Sequence, residues 1–123
     1  MDSKSLSLAK GLLGKKVKIK IDRQLGSKHP KWGFNYDVNY GYIEGIIAPD
    51  GEELDAYLLK VDRPVEEFEG IVVAIVHRTD NDDDKIVVIP EGENVTDEEI
   101  ESLTQFQEKF FKHIIVRSDK IHD

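Results

Sequence analysis

The stretch Asn39-Tyr40-Gly41-Tyr42-Ile43, followed by Pro49-Asp50-Gly51 and then Glu52-Glu53-Leu54-Asp55, carries the fold and the chemistry of this chain together. Residues 38–47 have the aromatic and β-branched character of a strand and stop at a Pro-Asp-Gly turn signal. Beyond the strand, Asp50, Glu52 and Asp55 are spaced two and then three residues apart across Gly51. A bent loop there aims three carboxylates at one point, which a straight strand or helix cannot do. That is oxygen-donor chemistry for a hard divalent cation, which takes about six oxygens, commonly one or two carboxylates with waters and substrate phosphates.

Working outward, residues 17–22 alternate Val-Lys-Ile-Lys-Ile-Asp, the pattern of a half-buried strand with Lys16, Lys18 and Lys20 on one face. Gly26, Ser27 and Pro30 mark a turn over 25–30. Residues 56–61 form a third strand stopped by Arg63-Pro64, and 71–76, apolar throughout, a fourth that is covered on both faces. Residues 85–89 form a fifth, closed by Pro90. Thr96 and Glu99 make a capping box, and Ile100, Leu103, Phe106, Phe110 and Phe111 follow at helical spacing, which predicts a helix over 97–113. Five short strands and one long amphipathic helix imply a mainly β, α+β chain: a small closed or nearly closed barrel with the helix laid over it.

The second acidic run, Asp80-Asn81-Asp82-Asp83-Asp84, falls between two β-like segments, so it can meet the first cluster at one end of a sheet. Two carboxylates about 4 Å apart repel by roughly 4 kcal/mol at an effective dielectric near 20, and such a convergence calls for metal. Asp80, Asp82, Asp84 and Glu91 match positions one, three, five and twelve of a calcium loop, but Lys85 stands where that loop needs glycine. A hairpin connection bearing metal ligands fits the run better. Arg78 and Lys85 bracket it and put both signs of charge within reach of a polyanionic substrate. Lysines alternating along an edge strand are by themselves an ordinary wet face. Gly14-Lys15-Lys16 lacks both the first glycine and the hydroxyl residue of a phosphate loop, and the four histidines show no metal-ligand spacing.

At 123 residues the chain is long enough for one hydrophobic core, and 1–123 reads as a single domain. A net charge of −8 argues against non-specific nucleic-acid or anionic-membrane binding, both of which need a basic surface. There is no cysteine, Lys10 interrupts the stretch from Leu6 to Leu13 that a signal peptide would need to be apolar, and no segment reaches the roughly 20 apolar residues of a bilayer span. The expectation is a cytoplasmic protein acting on a small phosphate compound, with no nucleic-acid or membrane partner and a homo-oligomeric state left open.

With the Asn39–Tyr42 motif, the Asp50–Asp55 cluster and Asp80–Lys85 leading into Val87-Val88-Ile89-Pro90, the sequence resembles the soluble (family I) inorganic pyrophosphatases, as a short divergent member, from about Val17 to Phe111. The resemblance implies an OB-type five-stranded barrel with a packed helix, Mg²⁺ as cofactor with Mn²⁺ as the alternative, and hydrolysis of pyrophosphate to two phosphates by attack of a metal-bound water. Position by position, it implies that Asp50, Asp55, Asp80 and Asp83 bind metal and that Glu52 handles the attacking water. Lys18, Tyr40 and Lys85 contact phosphate, and Tyr36 falls on a motif tyrosine.

Departures accompany the matches. Lys20 replaces a site glutamate, Glu52 is one methylene longer than the family aspartate, and Ile114-Ile115 stand where the family has a Tyr-Lys pair that grips substrate. The family's strand-borne arginine has no aligned counterpart, leaving Arg23, Lys28 or Lys31 to substitute. The complete aspartate set speaks for a hydrolase of pyrophosphate or of another phosphoanhydride, such as a nucleoside or organic diphosphate. The thinned cationic grip speaks for the latter, or for a non-catalytic metal- and phosphate-binding module.

Overall fold

The computed structural model describes residues 4–48, 51–80 and 83–117. Asp50, one of the four expected metal ligands, lies outside the described residues, as do Asn81 and Asp82. The order is α1 (Lys4–Lys10), β1 (Lys16–Arg23), β2 (Asn39–Ile47), β3 (Glu53–Leu58), β4 (Glu67–Arg78), β5 (Asp83–Ile89), α2 (Asp97–Glu108) and β6 (His113–Val116). The strands run β1-β2-β3-β5-β4, and β1 pairs again with β4, which closes a five-stranded barrel. The β3–β5 pairing is parallel and the others antiparallel; β6 adds to the far half of β4.

Closure depends on close backbone approach where the sequence supplies no side chain. A Cβ built on Gly41 would lie 1.7 Å from the Lys20 carbonyl oxygen, so glycine is required where β2 crosses β1. After β2, Gly51 has φ 88°, and the Ala48 amide donates to the Glu52 carbonyl at 2.7 Å; Pro49 and Asp50 of the predicted turn lie outside the described residues.

Period-two alternation then sorts side chains into two cores. Ile19, Leu54, Ala56, Ile75 and Ile86 fill the barrel, capped at one end by Leu6 and Ala9 of α1. Tyr57, Leu59, Val76, Val87 and Ile100 form the second core, between the barrel wall and α2. Each such fully buried aliphatic side chain contributes about 1.5–3 kcal/mol relative to an exposed one. Helix α2 begins as its sequence predicts: the Thr96 hydroxyl accepts from the Glu99 amide at 3.1 Å, and the Glu99 carboxylate accepts from the Thr96 amide at 2.9 Å.

Four expectations need correction. The helix ends at Glu108 rather than 113; Phe110 and Phe111 belong to the turn beyond it, and Ile114-Ile115-Val116, three β-branched residues in a row, form the sixth strand. The short helix α1 was not anticipated, because seven residues carry little periodicity. Strand β3 starts at Glu53, not 56, so Asp55 sits mid-strand instead of in a bent loop. Strand β5 starts at Asp83, so Asp83 and Asp84 point to opposite faces of the barrel wall.

Candidate active site

The register places the site. Tyr42 lies opposite Asp55 across β2–β3, and Asp55 opposite Lys85 across the parallel β3–β5 pair, so one row across the wall carries a hydroxyl, a carboxylate and an ammonium. The Lys85 ammonium, in a side chain only 4% exposed, donates to Asp55 Oδ2 at 2.8 Å and to Asp83 Oδ2 at 2.9 Å. Tyr40 donates its hydroxyl to the same Asp55 oxygen at 3.0 Å. Burial, and next the Asp55 charge, push the Tyr40 phenol well above its ordinary range, so it remains a proton donor.

Around this row opens a cavity of about 320 Å³ whose wall includes Asp22, Glu52, Glu53, Asp55, Asp83 and Asp84. Sequence reasoning picked Glu52, Asp55 and Asp83 from this set and missed the others. Asp22 comes from β1, and burial raises it above the usual carboxylate range; the Arg23 charge opposes this, while Asp55 and Glu53 add to it. Asp84 is buried, with Oδ1 2.6 Å from His77 Nδ1 and Oδ2 without a hydrogen-bond partner among the described residues. The sequence signal for Asp22 was its place on the Lys18, Lys20, Asp22 face of β1; for Asp84 it was only the acidic run.

The expected residues divide. Asp55, Asp83, Lys85, Tyr40 and Glu52 are brought together at or beside the cavity. Asp80 does not line it: its carboxylate accepts from the Lys112 amide at 3.2 Å, tying the β4–β5 loop to the segment before β6. Lys18 is exposed and turned toward Glu67 at 3.6 Å, and Lys20 hydrogen-bonds the same carboxylate at 3.1 Å. This pairing follows from strand closure, which puts β1 against the start of β4.

Arg78 is not a free cation either. Its Nε and Nη2 donate to Glu108 at 3.0 and 2.8 Å, its guanidinium stacks 3.7 Å from the Phe111 ring centroid, and only Nη1 reaches Asp83, at 3.4 Å. Burial weakens the Arg78 charge, but Glu108 more than offsets this and holds the guanidinium protonated. Glu108, fully buried, also accepts from the Tyr57 hydroxyl at 2.6 Å. Arg78 therefore orients Asp83 from behind, and the residue that orients Arg78 came from a helix the sequence offered only as an apolar stripe. Arg23 donates to the Asp22 carbonyl at 3.1 Å, and its charge opposes the rise of both Tyr36 and Asp22.

The donor set fits a hard divalent cation. Every cavity carboxylate offers hard oxygens, and Asp84 Oδ2 is a buried acceptor that its neighbours leave unsatisfied. Among the described residues, no three such groups already converge tightly enough to hold an ion by themselves. Lys85 occupies the place between Asp55 and Asp83.

The sequence profile of the inorganic pyrophosphatases matches residues 12–116. The barrel is similar to the crystal structure of inorganic pyrophosphatase from Ehrlichia chaffeensis, with a TM-score of 0.68 at 16% identity over 88% of this chain and 89% of that one. It is similar to the enzyme of that name from Neisseria gonorrhoeae, with a TM-score of 0.66 at 19% identity over 87% and 85%. It is likewise similar to that from Helicobacter pylori, with a TM-score of 0.67 at 14% identity over 85% and 86%. Among the described residues no helix is long and apolar enough to cross a membrane. A family match spanning nearly the whole barrel, with a carboxylate-lined cavity in its wall, means that the chain belongs to the inorganic pyrophosphatase family of hydrolases.

Proposed function

We propose that this chain hydrolyses inorganic pyrophosphate to two phosphates in the cytoplasm, with Mg²⁺ as cofactor and Mn²⁺ as its substitute. The observation that carries the reading is the pairing of Asp55 and Asp83 through the buried Lys85 ammonium at the wall of a cavity that six carboxylates line, on a family-matched barrel. Asp55 and Asp83, with Asp50 as the family resemblance implies, would hold the cation. When bound, it neutralises phosphate charge and makes water a stronger nucleophile.

The remaining chemistry belongs to the chain's own groups. Lys85, held between Asp55 and Asp83, would offer its ammonium to a phosphate oxygen. Tyr40, kept protonated by burial, donates a hydrogen bond and cannot act as a base. Glu52, at the cavity wall, accepts the proton of the attacking water, a role worth about 10²–10⁴ in rate. Asp84, on the other face of β5, is hydrogen-bonded to His77.

Phosphate release from pyrophosphate, with Mg²⁺, Mn²⁺ or neither, is the test, using Glu52→Gln as the diagnostic variant. A fall in kcat of about 10²-fold or more with nearly unchanged KM supports the role of Glu52. An intact kcat removes it. One observation favours a second reading: Ile114 and Ile115 lie on β6, and Lys18 and Lys20 are both turned to Glu67, so the grip on phosphate is thin. Mg²⁺-dependent binding of pyrophosphate with no release from any phosphoanhydride would make the chain a binding module.

A further inference from the structure

Beside the acidic cavity lies an aromatic slot of about 580 Å³, walled by Trp32, Phe34, Phe110 and Phe111, to which the hydrolase reading gives no role. Trp32 and Phe110 are 59% and 55% exposed, which is unusual for rings of that size. The slot is built rather than merely left open. His29 stacks on one face of the indole at 5.0 Å and 8°, and its Nδ1 accepts the backbone amides of Lys31 and Trp32 at 3.0 and 3.1 Å. That fixes the loop while the indole stays 59% exposed, with Phe110 tilted beside it at 6.5 Å.

The rim is cationic. Lys31 lies 5.7 Å from the Trp32 centroid and Lys109 5.3 Å from that of Phe110. Residues 28–34 and 109–113 together hold four lysines and no carboxylate, in a chain whose net charge is −8. The slot also adjoins the acidic site, because one side chain spans the gap: Arg78 stacks under Phe111 and reaches Asp83. A π-face platform with a basic rim, one residue away from a diphosphate site, is complementary to a planar base carrying a diphosphate.

We propose that the slot seats the base of a nucleoside diphosphate on Trp32 and Phe110, with its phosphates directed to the Arg78–Asp83 edge of the acidic cavity. This rests on the reading of that cavity as a diphosphate site and names a substrate class for it beyond pyrophosphate itself.

Trp32 is the only tryptophan in the chain and serves as the reporter. Titration with adenosine α,β-methylene diphosphate, whose P–C–P bridge resists hydrolysis, should quench its emission saturably, and magnesium pyrophosphate should displace the analogue. Phe110→Ala, at an exposed position outside the acidic site, should weaken the analogue about tenfold, in the range expected for one lost base–aromatic stack, without changing pyrophosphate hydrolysis. An unchanged affinity in Phe110→Ala, an absence of quench, or bound pyrophosphate that fails to displace the analogue overturns the proposal. So does tighter binding of a single-stranded oligonucleotide, which would assign the slot to nucleic acid, or an oligomer that falls apart in Phe110→Ala, which would assign it to a second copy. Calorimetry showing no binding of magnesium pyrophosphate refutes the reading of the acidic cavity instead; the slot is then judged by the quench and its loss in Phe110→Ala alone.

Discussion

Glu108→Ala tests whether the link between helix α2 and the site is energetic or incidental. Glu108 is fully buried and its carboxylate accepts three hydrogen bonds, from Arg78 Nε at 3.0 Å, Arg78 Nη2 at 2.8 Å and Tyr57 at 2.6 Å. The variant leaves Arg78, itself only 6% exposed, as a buried charge whose one remaining carboxylate among the described residues is Asp83 at 3.4 Å. Removing one member of a buried ion pair costs about 3–5 kcal/mol. For a domain of this size 1 kcal/mol moves Tm by roughly 4 °C, so the expected drop is on the order of 12–20 °C. The assay is thermal and urea unfolding of wild type, Glu108→Ala, Arg78→Met and the double variant. The double variant, which strands no charge, should be more stable than Glu108→Ala alone. A Glu108→Ala protein within about 1 kcal/mol of wild type, or strictly additive single effects, would refute the reasoning, since both require that the pair is not coupled.

Other outcomes follow from the same geometry. Asp55→Asn should abolish Mg²⁺-dependent phosphate release while lowering the metal-free Tm by only a few degrees, about 1 kcal/mol, because Lys85 keeps Asp83 and Tyr40 keeps an oxygen acceptor; a collapse of the fold would make Asp55 structural. Asp22, raised in the fold above its unfolded value, is penalised at neutral pH, and that penalty lifts as pH falls through the raised value. Asp22→Asn should therefore stabilise the metal-free protein at pH 7 and lose the gain below the carboxylate range, as melts across pH would show. His113 is pulled down by burial, but Glu101 at 2.7 Å and the Phe111 carbonyl outweigh this and raise it, so its contribution is full below the ordinary histidine range and fades as pH rises through the raised value. His113→Gln should accordingly cost less at pH 9 than at pH 5, by under about 1 kcal/mol for so exposed a partner.

By itself the sequence determined what local period and composition can encode. Alternation marked β1, aromatic and β-branched residues before a Pro-Asp-Gly signal marked β2, Thr96 and Glu99 marked the start of α2, and the pooled carboxylates marked oxygen-ligand chemistry. These depend on a residue and its near neighbours, so they survive without knowledge of the partner strand.

What only the tertiary structure decided was which groups share a space. The parallel β3–β5 pairing joins segments that are not consecutive, and it sets Lys85 beside Asp55 across thirty positions of chain. Closure of β1 on β4 draws Lys18 and Lys20 to Glu67, while the β1 end brings Asp22 to the cavity wall. The tie between the β4–β5 loop and the segment before β6 takes Asp80 to Lys112, and burial under α2 turns Arg78 from a substrate cation into the brace of Asp83. Spacing along a strand tells which face a side chain takes. Which charge it meets there is settled by long-range pairing and by the cost of leaving a buried charge alone, neither of which a linear pattern contains.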